Sequence, residues 1–206
     1  MELIKQGFEF VMDILETIVF VGSLFIVVYL FIMQPNQIRG SSMEPTFLSS
    51  EYIFTSKVTY KFRSFHRGDI VVFRSPRNPD IEFIKRIIGL PGDRVLFREG
   101  EVYVNGVQLK EDYISAKTPL WDGGYAKEDE PITVPPDSLW VMGDNRPYSS
   151  DSREFGPIVD SSVIGQVFFR YYPLPKMGFI PNPIARDFRV ILVPPATGPR
   201  LAAARA

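Results

Sequence analysis

Residues 17–33 read TIVFVGSLFIVVYLFIM, seventeen consecutive positions without a charged side chain. Apolar residues within 10–15 extend this segment to about the twenty residues that a helix needs to cross roughly 30 Å of hydrocarbon. Asp13 and Glu16 then fall near one end of the helix, where the lipid–water interface hydrates them. The stretch therefore predicts one membrane-spanning helix over residues 10–33.

Two other structures are compatible with an apolar run of this length. One is a buried core helix, but a domain in a chain of 206 residues seldom surrounds a helix that is apolar on all sides. The other is a cleavable signal peptide, which should end in small residues, whereas this segment ends in Ile32, Met33 and Gln34. We expect a retained anchor, whose orientation stays open because Lys5 on one side is balanced by Arg39 on the other.

A chain of 206 residues has room for one membrane anchor and one folded domain of medium size, or for two small domains, and we expect the first. A net charge of -1 gives no basic surplus, so we expect no nucleic-acid partner. The absence of cysteine excludes a disulfide, a thiol nucleophile and a zinc thiolate site. Because His66 is the single histidine, a histidine metal cluster is excluded as well, and we expect neither a metal nor a cofactor.

The sequence divides into four segments. They are a short N-terminal segment at residues 1–9, the anchor at 10–33, a β domain at 34–173 and a proline-rich tail at 174–206. Within the domain, residues 110–136 are polar and rich in turn-forming residues, which predicts an exposed loop excursion. Within the tail, residues 188–193 have the pattern of a strand.

The domain is predicted to be mainly β, because no stretch after Met33 has a sustained helical period. Asn105-Gly106 between alternating runs is a strong hairpin signal, since both central positions of a type I′ turn need positive φ. Short β-branched and aromatic runs predict strands at residues 51–55, 69–73, 81–88, 95–97, 102–109, 138–142 and 163–172.

Residues 40–46, GSSMEPT, follow the anchor closely and contain the first candidate for catalysis, Ser42. A serine in a small-residue turn is usually only a turn residue. Here Gly40 permits unusual backbone angles and Pro45 stiffens the exit, which can hold one hydroxyl and its N–H in a fixed direction. A serine hydroxyl is a poor nucleophile until a base takes its proton, so the candidate depends on a base.

Two residues are candidates for that base. His66 lies in a basic turn ahead of a strand, where a solvated surface histidine is the more common situation. Lys85 shares a strand face with Ile81, Phe83 and Ile87. Burial on this face would lower the lysine pKa towards neutrality, although a flexible stem could also carry the ammonium to water.

A third stretch, residues 142–153, reads MGDNRPYSSDSR directly after a predicted strand. Its oxygen donors suggest a calcium loop, but the regular Asp spacing and terminal Glu of such a loop are missing. Ser149 could instead orient the amine of a lysine, and Asp151 with Arg153 could form a supporting ion pair.

In this order, after one N-terminal span, the three stretches resemble bacterial-type signal peptidase I, a serine–lysine protease family. The resemblance covers residues 10–173 and implies a membrane-anchored domain of coiled antiparallel β-sheets. It places Ser42 at the nucleophile and Lys85 at the general base. Ser149 falls on the lysine-orienting serine, Asp151 and Arg153 fall on the structural pair, and Gly40 and Ser41 belong to the nucleophile turn.

The resemblance implies cleavage of preproteins after small residues at the first and third positions before the cut. It implies preprotein signal peptides and the lipid bilayer as partners, with the protein-export machinery as a further candidate. The expected location is the cell membrane, or the thylakoid membrane in a photosynthetic source. The N-terminus would be cytoplasmic and the β domain extracytoplasmic.

Gly40 departs from the family pattern, because some members have there a serine whose hydroxyl helps to form the oxyanion hole. The resemblance then leaves the backbone N–H of Ser42 as the expected donor. Two rival functions remain. A self-cleaving serine–lysine regulator would carry a DNA-binding domain where this chain has its anchor. A non-catalytic, membrane-tethered β domain serving as a binding module would leave Lys85 in solvent and far from Ser42.

Overall fold

The structure, a computed structural model, describes residues 2–184. Helix α1 (Glu2–Val27) continues as one turn of π-helix at Val28–Ile32. The helical segment Lys5–Ile32 is long and apolar enough to cross a membrane, and its most apolar part is not buried against the rest of the protein. One N-terminal apolar helix is therefore confirmed, and it also includes most of the segment before residue 10.

The helix leads directly into twelve strands within the described residues. In chain order they are β1 (Met33–Gln37), β2 (Tyr52–Ser56), β3 (Ile70–Arg74), β4 (Glu82–Gly89), β5 (Arg94–Arg98), β6 (Glu101–Val104), β7 (Val107–Gln108), β8 (Ile132–Thr133), β9 (Ser138–Met142), β10 (Ile158–Val159), β11 (Val163–Tyr172) and β12 (Gly178–Phe179). After the N-terminal helix, the helical structure in the described residues is limited to turns of three or four residues, including α2 (Thr59–Phe62) and α3 (Ser152–Phe155). The prediction of a mainly β domain is confirmed.

The strands form two antiparallel sheets. The larger sheet has the order β1-β2-β11-β3-β4-β9-β10, with β12 paired to β11, and the smaller has the order β7-β6-β5-β8. The two sheets pack around a shared apolar cluster to which β5 and β6 contribute Phe97 and Val104 and to which β9 contributes Trp140. A second cluster on the larger sheet includes Ile53 and Val72.

The strands predicted from β-branched runs are present within about one residue of the expected ends. The predicted run at 102–109 is a hairpin, β6 and β7, in which Asn105 and Gly106 both have positive φ. Strands β1, β8, β10 and β12 were not predicted. β1 contains Pro35, which an edge strand tolerates. The strand predicted at 188–193 lies outside the described residues.

The 110–136 segment consists of loops together with β8. It is not exposed throughout, because Thr118 and Ala126 are buried. The Ala126 N–H donates to the carbonyl of Arg153 at 2.9 Å. This excursion therefore packs against the loop that follows β9.

Candidate active site

The turn that carries Ser42 connects β1 to β2 and is fixed by buried apolar side chains. Met43 and Phe47 are buried in the cluster beneath it, and the Phe47 N–H donates to the Met43 carbonyl at 2.9 Å. Gly40 has a φ of 93°, in the region that favours glycine. The local sequence thus holds Ser42 on a rigid turn at the edge of the larger sheet.

Lys85 lies on β4 and reaches the Ser42 hydroxyl. Its Nζ donates to Ser42 Oγ at 2.8 Å and to the Ile84 carbonyl at 3.0 Å. The residue is only 4% exposed, and its Nζ lies 5.2 Å from the centre of the Phe83 ring. The structure therefore brings together the two residues that the sequence singled out as nucleophile and base.

Burial lowers the pKa of Lys85 and so raises the fraction of the side chain that is neutral. Desolvation lowers its pKa from 10.5 to about 8, against the charges of Asp151 and Asp144, which raise it, while Arg153 lowers it. A pKa near 8 leaves about one lysine in ten neutral at pH 7, against about one in three thousand for an ordinary lysine. The site can thus supply a neutral amine at physiological pH.

A cleft of about 730 Å³ opens in front of these two residues. Asn36 and Gln37 of β1 line one wall, and residues 82–85 of β4 line the other. β1 is the terminal strand of its sheet, and β4 pairs with β9 only from Arg86 onward. Both walls therefore present strand edges without a strand neighbour among residues 2–184, which suits an extended peptide.

The loop after β9 surrounds one buried carboxylate, that of Asp151. Arg153 donates to it from Nε at 2.9 Å and from Nη2 at 2.8 Å, and the Gly143 N–H donates at 2.9 Å. Ser149 Oγ donates to Asp151 Oδ2 at 2.8 Å. Among the residues described, no hydrogen bond joins Ser149 to Lys85, so the structure shows Ser149 as a partner of Asp151.

Gly143 lies close to the nucleophile turn, with no room for a side chain between them. A Cβ built on Gly143 would lie 2.2 Å from Ser149 Oγ and 2.4 Å from the Ser42 carbonyl oxygen. The Asn145 N–H donates to that same Ser42 carbonyl at 3.0 Å, and Asn145 Nδ2 donates to the Ser41 carbonyl at 3.0 Å. The late loop therefore fixes the peptide groups on both sides of Ser42.

Sequence reasoning missed a second buried ion pair, between Arg86 and Asp144. Arg86 Nε donates to Asp144 Oδ1 at 2.8 Å and Nη2 donates to Oδ2 at 2.6 Å, with both side chains 1% exposed. Arg86 Nη1 also donates to the Gly68 carbonyl, and Thr46 donates to Asp144. The sequence did contain a signal for this pair. Arg86 is a charged residue inside an apolar strand, and Asp144 is an acidic residue directly after another strand.

The oxygen donors that suggested a calcium loop are engaged with the protein. Asp144 binds Arg86 and Asp151 binds Arg153. Among residues 2–184 we find no group of three acidic, histidine or cysteine side chains placed to hold a metal. His66, the other candidate base, is exposed, and its ring contacts Arg63 at 3.2 Å.

A family described as "Signal peptidase, peptidase S26" matches residues 11–172. The chain is 39% identical over 162 residues to "Probable signal peptidase I-2" of Synechocystis sp., covering 76% of this chain and 71% of that protein. It is 32% identical over 185 residues to "Signal peptidase IB" of Staphylococcus aureus, covering 83% and 96%. A crystal structure of a signal peptidase I from Enterococcus faecalis is 38% identical, with a TM-score of 0.42, covering 50% of this chain and 97% of that one.

Proposed function

The chain belongs to the signal peptidase family, peptidase S26, and is a serine peptidase of signal peptides; we propose that Ser42 is its nucleophile and Lys85 its general base. The observation that supports this assignment is the 2.8 Å contact between Ser42 Oγ and the Nζ of a lysine that is 4% exposed. The rival binding module would have required a solvent-facing lysine far from Ser42.

Acylation follows from this geometry. Neutral Lys85 takes the hydroxyl proton of Ser42 as Ser42 Oγ attacks the carbonyl carbon of the scissile peptide bond. The bond from that carbon to nitrogen then breaks. The Lys85 ammonium returns its proton to the leaving amine, and the signal peptide remains as an ester on Ser42.

Deacylation uses the same base. With the amine product gone, neutral Lys85 takes a proton from a water molecule as its oxygen attacks the ester carbon. The ester bond breaks, Lys85 gives its proton to Ser42 Oγ, and the cleaved signal peptide leaves with a new carboxyl group, which loses its proton to solvent water. Lys85 thus acts twice, and it must be neutral at the start of each half.

We propose that the backbone N–H of Ser42 donates a hydrogen bond to the oxyanion that forms when Ser42 attacks. No acceptor for this N–H is found among residues 2–184. Gly40 offers no side-chain donor, and its φ of 93° explains why glycine is suited to this position. Asn145 binds the carbonyls of Ser41 and Ser42, the first of which shares a peptide group with that N–H, and so fixes the direction of the N–H. A donor held in place in this way is typically worth about 10²–10³ in rate.

The remaining site residues support Lys85. Because the Ser149 hydroxyl proton is committed to Asp151, the lone pairs of its oxygen are the part that could orient the Lys85 amine. Asp151 and Arg153 form the structural pair on which Ser149 rests. We propose that Gly40 and Ser41 shape the nucleophile turn and take no proton in the reaction.

The proposed substrate is a preprotein whose segment before the cut binds as an extended strand between β1 and β4. Small side chains at the first and third positions before the cut are the proposed specificity. The apolar helix is the proposed single-pass anchor, with residues 1–9 cytoplasmic, the 34–173 domain extracytoplasmic and the 174–206 tail unassigned. The cell membrane is the proposed location, with the thylakoid as the counterpart in a photosynthetic cell.

The test uses the full chain in detergent with a model preprotein. Ser42→Ala and Lys85→Met should each abolish cleavage while thermal unfolding shows a folded domain. His66→Ala is the matched control, because it removes the other candidate base, and it should leave cleavage intact. Substantial cleavage by folded Ser42→Ala, or loss of cleavage in His66→Ala, would overturn the assignment.

A further inference from the structure

Lys57, the first residue after β2, lies against the end of the apolar helix. Its backbone N–H donates to the Ile32 carbonyl at 2.8 Å, and its Nζ donates to the Tyr29 and Leu30 carbonyls at 3.2 and 3.4 Å. These carbonyls belong to the last turn of the helix, where partners within the helix run out. Lys57 therefore fixes the start of the next segment, residues 57–67, at the level where the helix ends.

That level coincides with the edge of the bilayer if the helix is the proposed anchor, and the inference rests on that proposal. The uncharged part of the helix, residues 17–32, is about 24 Å long at roughly 1.5 Å per residue. This length is below the roughly 30 Å of a hydrocarbon core, so the hydrocarbon must extend to the last residue of the helix, Ile32. Lys57, which is bound to the end of the helix, then lies in the headgroup layer, and the segment 57–67 starts there.

The segment has the composition of a bilayer contact. Residues 57–67 contain four lysines and arginines and no acidic residue, in a chain whose net charge is -1. Two of the cations have acidic partners elsewhere, Arg63 on Asp69 and Arg67 on Asp93. Lys61 is exposed, and no ion pair with it is found in residues 2–184.

The fold of the segment turns one large apolar side chain outward. The Tyr60 ring packs on Phe65 with centroids 4.1 Å apart, and its hydroxyl donates to Asp69 at 3.1 Å. These contacts pack the Tyr60 side of the short helix α2 against the domain and leave its other side free. Phe62, two residues along, is consequently 87% exposed, more than any other large apolar side chain described.

We propose that the turn formed by residues 59–63 is a second membrane contact, which binds anionic phospholipid headgroups through Lys61 and inserts Phe62 at the boundary of the acyl chains. An aromatic ring beside cations at this depth matches the pattern of interfacial segments. Together with the anchor it gives the domain two points of attachment. Because β1 starts at the helix end and lines the cleft, the two contacts would hold the cleft at a fixed angle to the bilayer.

The absence of cysteine allows a direct test with single labels. Phe62→Cys is labelled with an environment-sensitive fluorophore in the full chain and placed in bilayer nanodiscs, one chain per disc. Ser23→Cys in the helix reports whether the anchor is in lipid, and Val107→Cys on β7 of the smaller sheet reports water. In discs containing phosphatidylglycerol the label at 62 should be blue-shifted and shielded from a water-soluble quencher. Adding Lys61→Gln should shift its equilibrium towards water about fivefold, the effect of one cation near an anionic surface.

Three outcomes would contradict the proposed membrane contact of residues 59–63. A label at 62 that behaves like the label at 107, while the label at 23 is shielded, overturns the second contact and leaves the anchor intact. A label at 23 in water overturns the anchor and the contact with it. Shielding at 62 that is equal in zwitterionic discs and unchanged by Lys61→Gln overturns the headgroup interaction.

Discussion

Gly143→Ala is the substitution that most directly tests how the late loop positions Ser42. The added Cβ would lie 2.4 Å from the Ser42 carbonyl oxygen, and ordinary contact begins near 3.4 Å. Either the Ser42 peptide or the Gly143 strand end must therefore move by about 1 Å. The Ser149 hydroxyl, 2.2 Å from the same Cβ, must move as well.

We expect Gly143→Ala to lower the rate of cleavage much more than it lowers the stability of the fold. A displacement of about 1 Å at reacting groups can cost about 100-fold in rate, so we expect kcat/KM to fall by about that factor. Overpacking of this kind costs typically about 1–3 kcal/mol of stability. For a domain of this size that corresponds to a fall in Tm of roughly 2–4 °C per kcal/mol, which leaves the protein folded at 25 °C.

The assay compares cleavage of a model preprotein with thermal unfolding for each variant. Gly178→Ala is the matched control, because a Cβ at Gly178 meets nothing within 4 Å. It should keep wild-type activity and stability, the latter within about 0.5 kcal/mol. Wild-type kcat/KM in Gly143→Ala, or an equal loss in Gly178→Ala, would refute the idea that this contact positions the nucleophile.

Three further outcomes are expected. The kcat/KM profile should rise about tenfold per pH unit and level off above about pH 8, the pKa of Lys85; a limb near 10 would contradict a desolvated base. Lys85→Met should abolish cleavage yet raise the free energy of unfolding at pH 7 by up to about 3 kcal/mol, because it removes the cost of holding a charged lysine in the core. Between pH 8 and 10.5 the unfolded chain keeps the Lys85 proton and the folded chain does not, so the stability of the wild type rises with pH in this window. The stability difference between Lys85→Met and the wild type should therefore shrink as the pH rises. A difference that stays constant in urea titrations across this window would contradict the lowered pKa of Lys85. Arg86→Met should lose about 3–5 kcal/mol because it leaves Asp144 buried without its partner, and Arg86→Met/Asp144→Leu should recover much of that loss in the same titrations.

The strands of the domain could be predicted from sequence because their signals are local. Runs of β-branched and aromatic residues have a period of two, and Asn105-Gly106 supplies the two positive φ values of its turn. Strand β1 lacks such a signal, because it is mostly polar and contains Pro35. Its strand geometry comes from pairing with β2, from Met33 opposite Ser56 to Gln37 opposite Tyr52.

The order of the strands depends on contacts that no local pattern specifies. β11 inserts between β2, which lies more than a hundred residues earlier in the chain, and β3, which lies about ninety residues earlier, and its register with each of them is irregular. The same limit applies to the site. Alternation along β4 was enough to place Lys85 on an apolar face, but the ion pair of Arg86 with Asp144 joins β4 to the loop after β9 and depends on the pairing of β4 with β9.

The buried ion pairs also explain why burial controls the pKa of Lys85. Asp151 and Asp144 both favour the ammonium form, and two unpaired carboxylates would hold the proton on the lysine. Each of them instead faces an arginine, Asp151 with Arg153 and Asp144 with Arg86, so the charge of each pair sums to zero. Desolvation then becomes the largest effect, and the pKa falls to about 8. The late loop and Arg86 of β4 together surround Lys85 with two ion pairs that carry no net charge, so desolvation can lower the lysine pKa far enough for it to act as a base.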